Sequence, residues 1–491
     1  HVVRTEGGKG EVYRTTLLAK LLTIVVNRLA TLDPGGTGIE MEAGKPGWND
    51  SMNGLPGVFG SGLSETLELA RTVKLLRTLL PRLKGGRTRT LAVYSELSEF
   101  QRGVQAAMKK RLTARSNAAL NYWNEANALK EHYRDQTRLG VGGTEERLPL
   151  SELSGFLSTA DEFLERIFSG RNRAKVISKA GVPFTYFVND VTKHEPTGET
   201  NHLGLPTTVP AAFDQRPVKL FLEGPVHWLK HRPEEALAVY EAVRKSPLFD
   251  RKLKMYKSCE NMRGESPELG RAVGAYPRGW IENESIYLHM EYKYLLEVLR
   301  SGLCEQFWAD AETALVPFMD PAVYGRSILE GASFIVSSAF AQSSLHGRAF
   351  QPRLSGITCE FLHMWLLAVA GEQPLRLDRQ GKLELALEPR LPGWLFTEQE
   401  TRREYHDFRD GWTEVIIPEN AFAFKLLGRT LVVYANKNRK DTYGTGAARP
   451  RSYELLYRSG RRTTVNAKVL PLRHARAVRN GDVLRMDVVL R

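Results

Sequence analysis

Cysteine is scarce in this chain. Its 491 residues hold three, Cys259, Cys304 and Cys359, far apart and with no CxxC pair. That argues against a disulfide framework and against a zinc site, and it fits a reducing, cytoplasmic compartment. Long apolar runs are missing too. None approaches the roughly 20 residues that a bilayer-spanning helix needs. The nearest, LLAKLLTIVVNRLATL at 17–32, is interrupted by Lys20, Asn27 and Arg28 and reads as a buried helix, so no membrane partner is expected. No repeat of 20–50 residues is visible, which disfavours a solenoid. The net charge of +13 is spread along the chain, with 69 basic residues mixed among 56 acids and no aromatic-interleaved basic motif. A solvated basic surface suited to anionic substrates follows more readily than a nucleic-acid interface. The opening HVVRTEGGKGEVYR is not a signal peptide, and a start at His1 leads us to expect an incomplete N-terminus.

The totals, 42% hydrophobic and 25% charged, are those of an ordinary globular protein long enough for two modules. Residues 1–372 carry apolar positions at helical spacing: 12–32, 61–83 (Leu67, Ala70, Val73, Leu75, Leu79), 95–135 as one long helix or a pair, 150–168, 233–246, 282–303, 305–316 and 357–372. The segment 183–225 breaks this pattern with Pro, Gly and Thr, and reads as a loop-rich, ordered excursion facing a ligand. From 373 to 491 the residues alternate or are β-branched between turn signals, predicting an antiparallel β-sandwich-like domain. The expected fold is mainly α with a C-terminal antiparallel β module. Successive helical hairpins suggest an (α/α)6 barrel, an α-toroid, for the first part.

Gly-rich, polar segments join the helices: GKPGWNDSMNG (44–54), YPRGWIENESIYLH (276–289) and SSLHGRAFQPRLSG (343–356), beside the excursion. Together they offer what a saccharide site needs. Trp48 and Trp280 supply faces, Asn49 and Asn283 supply amides, and Asp50 and Glu282 supply carboxylates. Cleaving a glycosidic bond requires a proton on the departing oxygen, normally from a carboxylic acid beside an apolar neighbour. Asp50 beside Trp48 fits. If phosphate is the nucleophile, no second carboxylate is needed, only donors such as His289 and the Arg353–Ser355–Gly356 turn before a helix. Each residue also has an ordinary reading: His289 as a core histidine among tyrosines, Ser355 as a helix cap, Asp50 as an Asx-turn residue.

As a set, these motifs resemble glycoside hydrolase family 94, the cellobiose- and chitobiose-phosphorylase group. GKPGWNDSMNG is similar to the family's W-N-D segment, which implies that Asp50 is the general acid and Trp48 lines the donor site. WIENESIYLH resembles its E-N-G-G-x-x-x-H segment, implying substrate contact by Glu282 and phosphate binding by His289. RLSG resembles its phosphate-binding Thr-Gly turn, here Ser355–Gly356. Glu284 and Ser285 replace the two glycines, GKPG precedes W-N-D, and serine replaces threonine. Those departures are similar to the 1,2-β-oligoglucan phosphorylase branch. The resemblance implies an N-terminally truncated toroid and reversible phosphorolysis of β-1,2-linked glucooligosaccharides to α-glucose 1-phosphate. Inorganic phosphate would be the co-substrate, with no metal or organic cofactor, and a homo-oligomer is compatible with this. The rival readings are a cellobiose-type phosphorylase, an inverting β-glucan hydrolase, a non-catalytic carbohydrate-binding fragment and, from charge alone, a nucleic-acid-binding protein.

Overall fold

The computed structural model describes residues 2–42, 47–84, 89–114 and 118–491. It is mainly helical with β structure towards the C-terminus. The chain divides into two compact units. One comprises 1–294 with 320–327 and 332–351; the other comprises 295–319, 328–331 and 352–491. The second unit therefore includes the helices Cys304–Ala314, Ser355–Ala370 and Leu472–Asn480 besides the strands. Among the described residues, no helix is long and apolar enough to cross a membrane.

In the first unit the helix Leu63–Lys84 buries Leu67, Ala70, Val73, Leu76 and Leu80, a stripe at steps of three and four. Leu75 and Leu79, expected on that stripe, are exposed, because they fall on the opposite side of the turn. The helix Leu150–Phe168 packs on it through a matching stripe. The stretch 95–135 is a pair of helices, Ser95–Thr113 and Ala118–Thr137, and two short strands, Thr90–Tyr94 and Glu145–Pro149, pair antiparallel across them.

The segment 183–225 is not a loop-rich excursion. It is a long antiparallel hairpin, Tyr186–Thr200 with Pro206–Pro217, followed by the helix Glu223–His231. Asn201 closes the hairpin by accepting hydrogen bonds from the N–H groups of Leu203 (2.9 Å) and Leu205 (3.0 Å). Only the base of the hairpin is buried, and it joins a four-stranded sheet with Ser61–Gly62 and Ile39–Glu40.

That sheet organises the loop of interest. Ile39 pairs with Gly62 and Glu40 with Ser61, so residues 41–60 leave and re-enter the same strand pair. Asp33 holds the entrance. Its buried carboxylate accepts from Thr37 N (2.8 Å), Thr37 Oγ1 (3.1 Å), Gly38 N (2.8 Å), Ser61 Oγ (2.5 Å) and Gln215 Nε2 (2.9 Å). Met52 and Leu55 anchor the middle of the loop in an apolar cluster with Tyr186, Phe221, Cys259, Met262 and Leu269. Gly54 is needed there, since a Cβ would lie 1.8 Å from the carbonyl oxygen of Glu268.

In the second unit, five strands lie in the order Ala421–Leu426, Thr430–Ala435, Val483–Leu490, Pro450–Tyr457, Arg462–Val465. The module is not wholly antiparallel. Thr430–Ala435 and Val483–Leu490 run parallel, and the helix Leu472–Asn480 lies in the connection that leads back to the last strand. Asp407 and Arg458 form a buried ion pair at 2.7 Å, and Arg458 also reaches Asp410 at 2.9 Å. Burial alone would raise the Asp407 carboxyl, but Arg458 and two backbone N–H groups hold it at about 2. All three cysteines are free.

Candidate functional site

The W-N-D loop approaches the 276–289 segment across the first unit. Gly44 and Pro46 of that loop lie outside the described residues. From Gly47 onward the chain forms a short 3-10 helix, Asp50–Met52, and its capping residue is Asn49, whose buried Oδ1 accepts from Ser51 N at 3.1 Å. Asp50 therefore does not act as the cap. Its side chain is exposed, and no hydrogen bond to its carboxylate is found among the described residues.

Ser51 links the two segments. Its N–H donates to Glu282 Oε2 at 2.9 Å, and its hydroxyl makes a second, short contact to the same oxygen. Trp48, 41% exposed, stacks on Tyr287 with ring centroids 5.8 Å apart. His289, the second residue of the helix Leu288–Arg300, meets the edge of Tyr287 at 5.9 Å. Tyr287 is thus the hub around which Trp48, Asp50, Glu282 and His289 gather. Burial pushes its phenol up to about 12, and the charges of Glu282 and Asp50 push in the same direction.

Other expected residues are more enclosed. Asn283 is buried in a tight turn, with Nδ2 donating to the Tyr276 carbonyl at 2.8 Å. Its Oδ1 is sealed without a hydrogen-bond partner among the described residues. Trp280 does not offer two free faces, since Phe350 stacks on it at 3.9 Å, nearly parallel. Helix formation begins only at Leu288, because Ile281 and Glu284 adopt positive φ (50° and 56°). Glu284 stands where the resembling motif has glycine. Its buried carboxylate is held by Lys257 (3.1 Å) and Arg278 (2.5 Å). Those cations keep it below the usual carboxylate range although burial opposes them.

Arg353, Ser355 and Gly356 belong to the second unit. Ser355 is the first residue of the helix Ser355–Ala370 rather than its cap, a position taken by Leu354. Arg353 Nη1 donates to Thr358 Oγ1 at 2.5 Å.

One further neighbour of Trp48 carries no role in the sequence analysis. Glu223, buried in the helix Glu223–His231, accepts from Trp48 Nε1 at 2.7 Å and from Tyr186 OH at 3.3 Å. His227, one turn on, lies between Glu223 (3.6 Å) and Glu68 (2.7 Å). Burial would lower the His227 pKa, yet the two carboxylates raise it. Burial would raise the Glu223 carboxyl, and His227 with Trp48 lowers it. Glu65, beside them, is raised by burial and by the Glu223 charge. The visible signal was a Glu–His pair at i, i+4 inside an otherwise apolar helix.

The arrangement combines an exposed carboxylate, an aromatic face fixed from behind, a second carboxylate tied to the same loop and an imidazole at a helix start. No known protein-family model matches the chain, and no curated protein matches it either.

Proposed function

We propose that the chain carries the catalytic machinery of an inverting glycoside phosphorylase of the glycoside hydrolase family 94 type. In this reading it acts in the cytoplasm on β-1,2-linked glucooligosaccharides, and its helices belong to an (α/α)6 barrel. What supports the reading is the meeting of two segments 231 residues apart, through Ser51 N–H on Glu282 Oε2 at 2.9 Å. That contact brings together the motifs whose separate meanings were ambiguous.

In the proposed reaction the bond between the glucosyl C1 and the bridging oxygen breaks, and that oxygen takes the Asp50 proton directly or through a sugar hydroxyl. A phosphate oxygen bonds to C1 from the opposite face, so a β-linkage becomes an α-phosphate. Phosphate is already an anionic nucleophile, so no carboxylate has to activate water. Trp48, Asn49, Glu282 and Asn283 position glucose, and His289 holds phosphate. The phosphate role of Arg353, Ser355 and Gly356 rests on the resemblance alone. Metal and organic cofactors have no part in this reading.

The test is an incubation with sophorooligosaccharides, with and without inorganic phosphate. α-Glucose 1-phosphate should form only when phosphate is present. Phosphate-independent release of free glucose would point to a hydrolase instead.

A further inference from the structure

A second feature of the first unit lies apart from the Trp48–Asp50 loop. A cleft of about 900 Å³ opens between the Asp33–Thr37 turn, the ends of the helices Ser95–Thr113 and Leu150–Phe168, and the base of the long hairpin. None of Trp48, Asp50, Glu282 and His289 lines it. Among the described residues its charged lining is one-sided: Arg111, Arg166, Lys175 and Lys179 against Asp214.

Arg111 is held in place on three sides. Its Nη2 donates to the Gly36 carbonyl at 3.1 Å, and its guanidinium lies 4.7 Å from the Phe163 ring centre and 5.5 Å from that of Tyr122. Gly36, at φ +73°, makes this possible, because a Cβ there would sit 2.2 Å from Nη2. The remaining terminal nitrogen, Nη1, lies beneath the cleft surface with no hydrogen-bond partner among the described residues, so an anion meets Arg111 through the partly exposed part of the side chain that lines the cleft. Asp33 is the carboxylate whose charge Arg111 feels, and Asp33 is already saturated by its own five donors. Burial consequently lowers the guanidinium's pKa. A desolvated guanidinium without a counter-ion is costly, and an incoming anion relieves that cost.

We propose that this cleft binds an organic phosphate, a phosphomonoester carried on a ring of sugar size. Arg111 takes the anion, and Lys175 and Lys179, both exposed on the lining, add the charge that favours a dianion over a carboxylate. Phe184 and Phe213, which are partly buried, supply faces for the ring. The volume suits a small organic molecule and far exceeds what a bare phosphate ion fills.

The experiment is calorimetric titration of the His289→Ala chain, in which the phosphate site proposed beside the Trp48–Asp50 loop is disabled, with inorganic phosphate, α-glucose 1-phosphate, adenosine monophosphate and an oligothymidylate. Each titration is repeated in that background on Arg111→Gln and on Lys175→Glu/Lys179→Glu. Saturable binding of at least one ring phosphate should weaken by roughly 10- to 100-fold in Arg111→Gln. The lysine double variant should weaken it in the same direction. Should Arg111→Gln fail to fold, the exposed lysines carry the test. Four outcomes overturn the proposal: no saturable binding of a ring phosphate, affinity that survives the Arg111 and lysine variants, inorganic phosphate binding as tightly, or tighter binding of the oligothymidylate. Phosphorolysis without binding in the cleft would defeat this inference alone, and binding without phosphorolysis would defeat only the proposed reaction.

Discussion

Asp33 and Asp50 stand in neighbouring turns of the same Gly-rich stretch and have opposite environments. Asp33 is wholly buried and accepts five hydrogen bonds, which pin one strand of the small sheet and the base of the hairpin. Asp50 is exposed, and the backbone work around it is done by its neighbours: Asn49 caps the 3-10 helix, and Ser51 engages Glu282. A saturated carboxylate holds a fold, whereas one left open is available to a ligand. Residue type and turn composition are alike at the two positions, and the count of donors around each carboxylate is what differs.

Substitutions at the two aspartates should therefore fail in different ways. Asp50→Asn should lower phosphorolysis by roughly 10²- to 10⁴-fold, the usual contribution of a general acid, with an unchanged urea midpoint. Asp33→Ala should cost roughly 3–5 kcal/mol of stability, because it leaves several buried donors unsatisfied. Urea denaturation measures it, and a loss below about 1 kcal/mol would contradict the structural role given to Asp33.

Glu40, between them in the chain, is an intermediate case. It is partly buried and accepts from Trp123 Nε1 at 2.8 Å. Burial pushes its carboxyl up to about 7, although the Trp123 hydrogen bond pulls the other way. The folded state thus holds this proton more tightly than the unfolded chain does, so stability falls as pH rises from about 4.5 to about 7 and levels off above. Glu40→Gln keeps the acceptor and should flatten that slope, adding on the order of 2 kcal/mol at pH 8. Denaturation midpoints across that pH range would reveal it, and parallel curves for both proteins would reject it.

The smallest expected effect concerns the support behind Trp48. Glu223→Gln can still accept from Trp48 but removes the charge that faces His227. KM for the oligosaccharide should rise roughly threefold to tenfold with kcat little changed, as for a lost positioning contact. The pH dependence should move with it. Because His227 has a raised folded pKa, its contribution is complete below the unfolded value of 6.5 and is lost as pH rises through the folded one. That loss should shrink in Glu223→Gln. A kcat defect with unchanged KM would remove Glu223 from the positioning role.

Much of this was legible in the sequence where local pattern and burial agree. The helix Leu150–Phe168 follows its apolar stripe from end to end, and the strands Pro450–Tyr457 and Val483–Leu490 follow their alternation, whereas Thr430–Ala435 is buried along almost its whole length. The hairpin of 186–217 escaped notice because its distal half is exposed on both faces, so no alternation of apolar and polar residues marks it. The strands Thr90–Tyr94 and Glu145–Pro149 were hidden for another reason: each is five residues long, and its partner lies beyond two helices. The parallel pairing of Thr430–Ala435 with Val483–Leu490 is likewise a long-range choice that local turn signals do not encode. At the site, the W-N-D loop and the 276–289 segment were recognisable one by one. Ser51, Tyr287 and Glu223 join them, and no sequence motif assigns these three a role because their importance lies in what they touch.

The role of Asp50 is tested most directly by the rate of α-glucose 1-phosphate formation from sophorooligosaccharides and phosphate by wild type and Asp50→Asn, measured side by side on protein of equal thermal stability. Wild type should show activity that depends on phosphate, and the variant should lose at least about 100-fold. Equal rates in the two proteins would contradict that role.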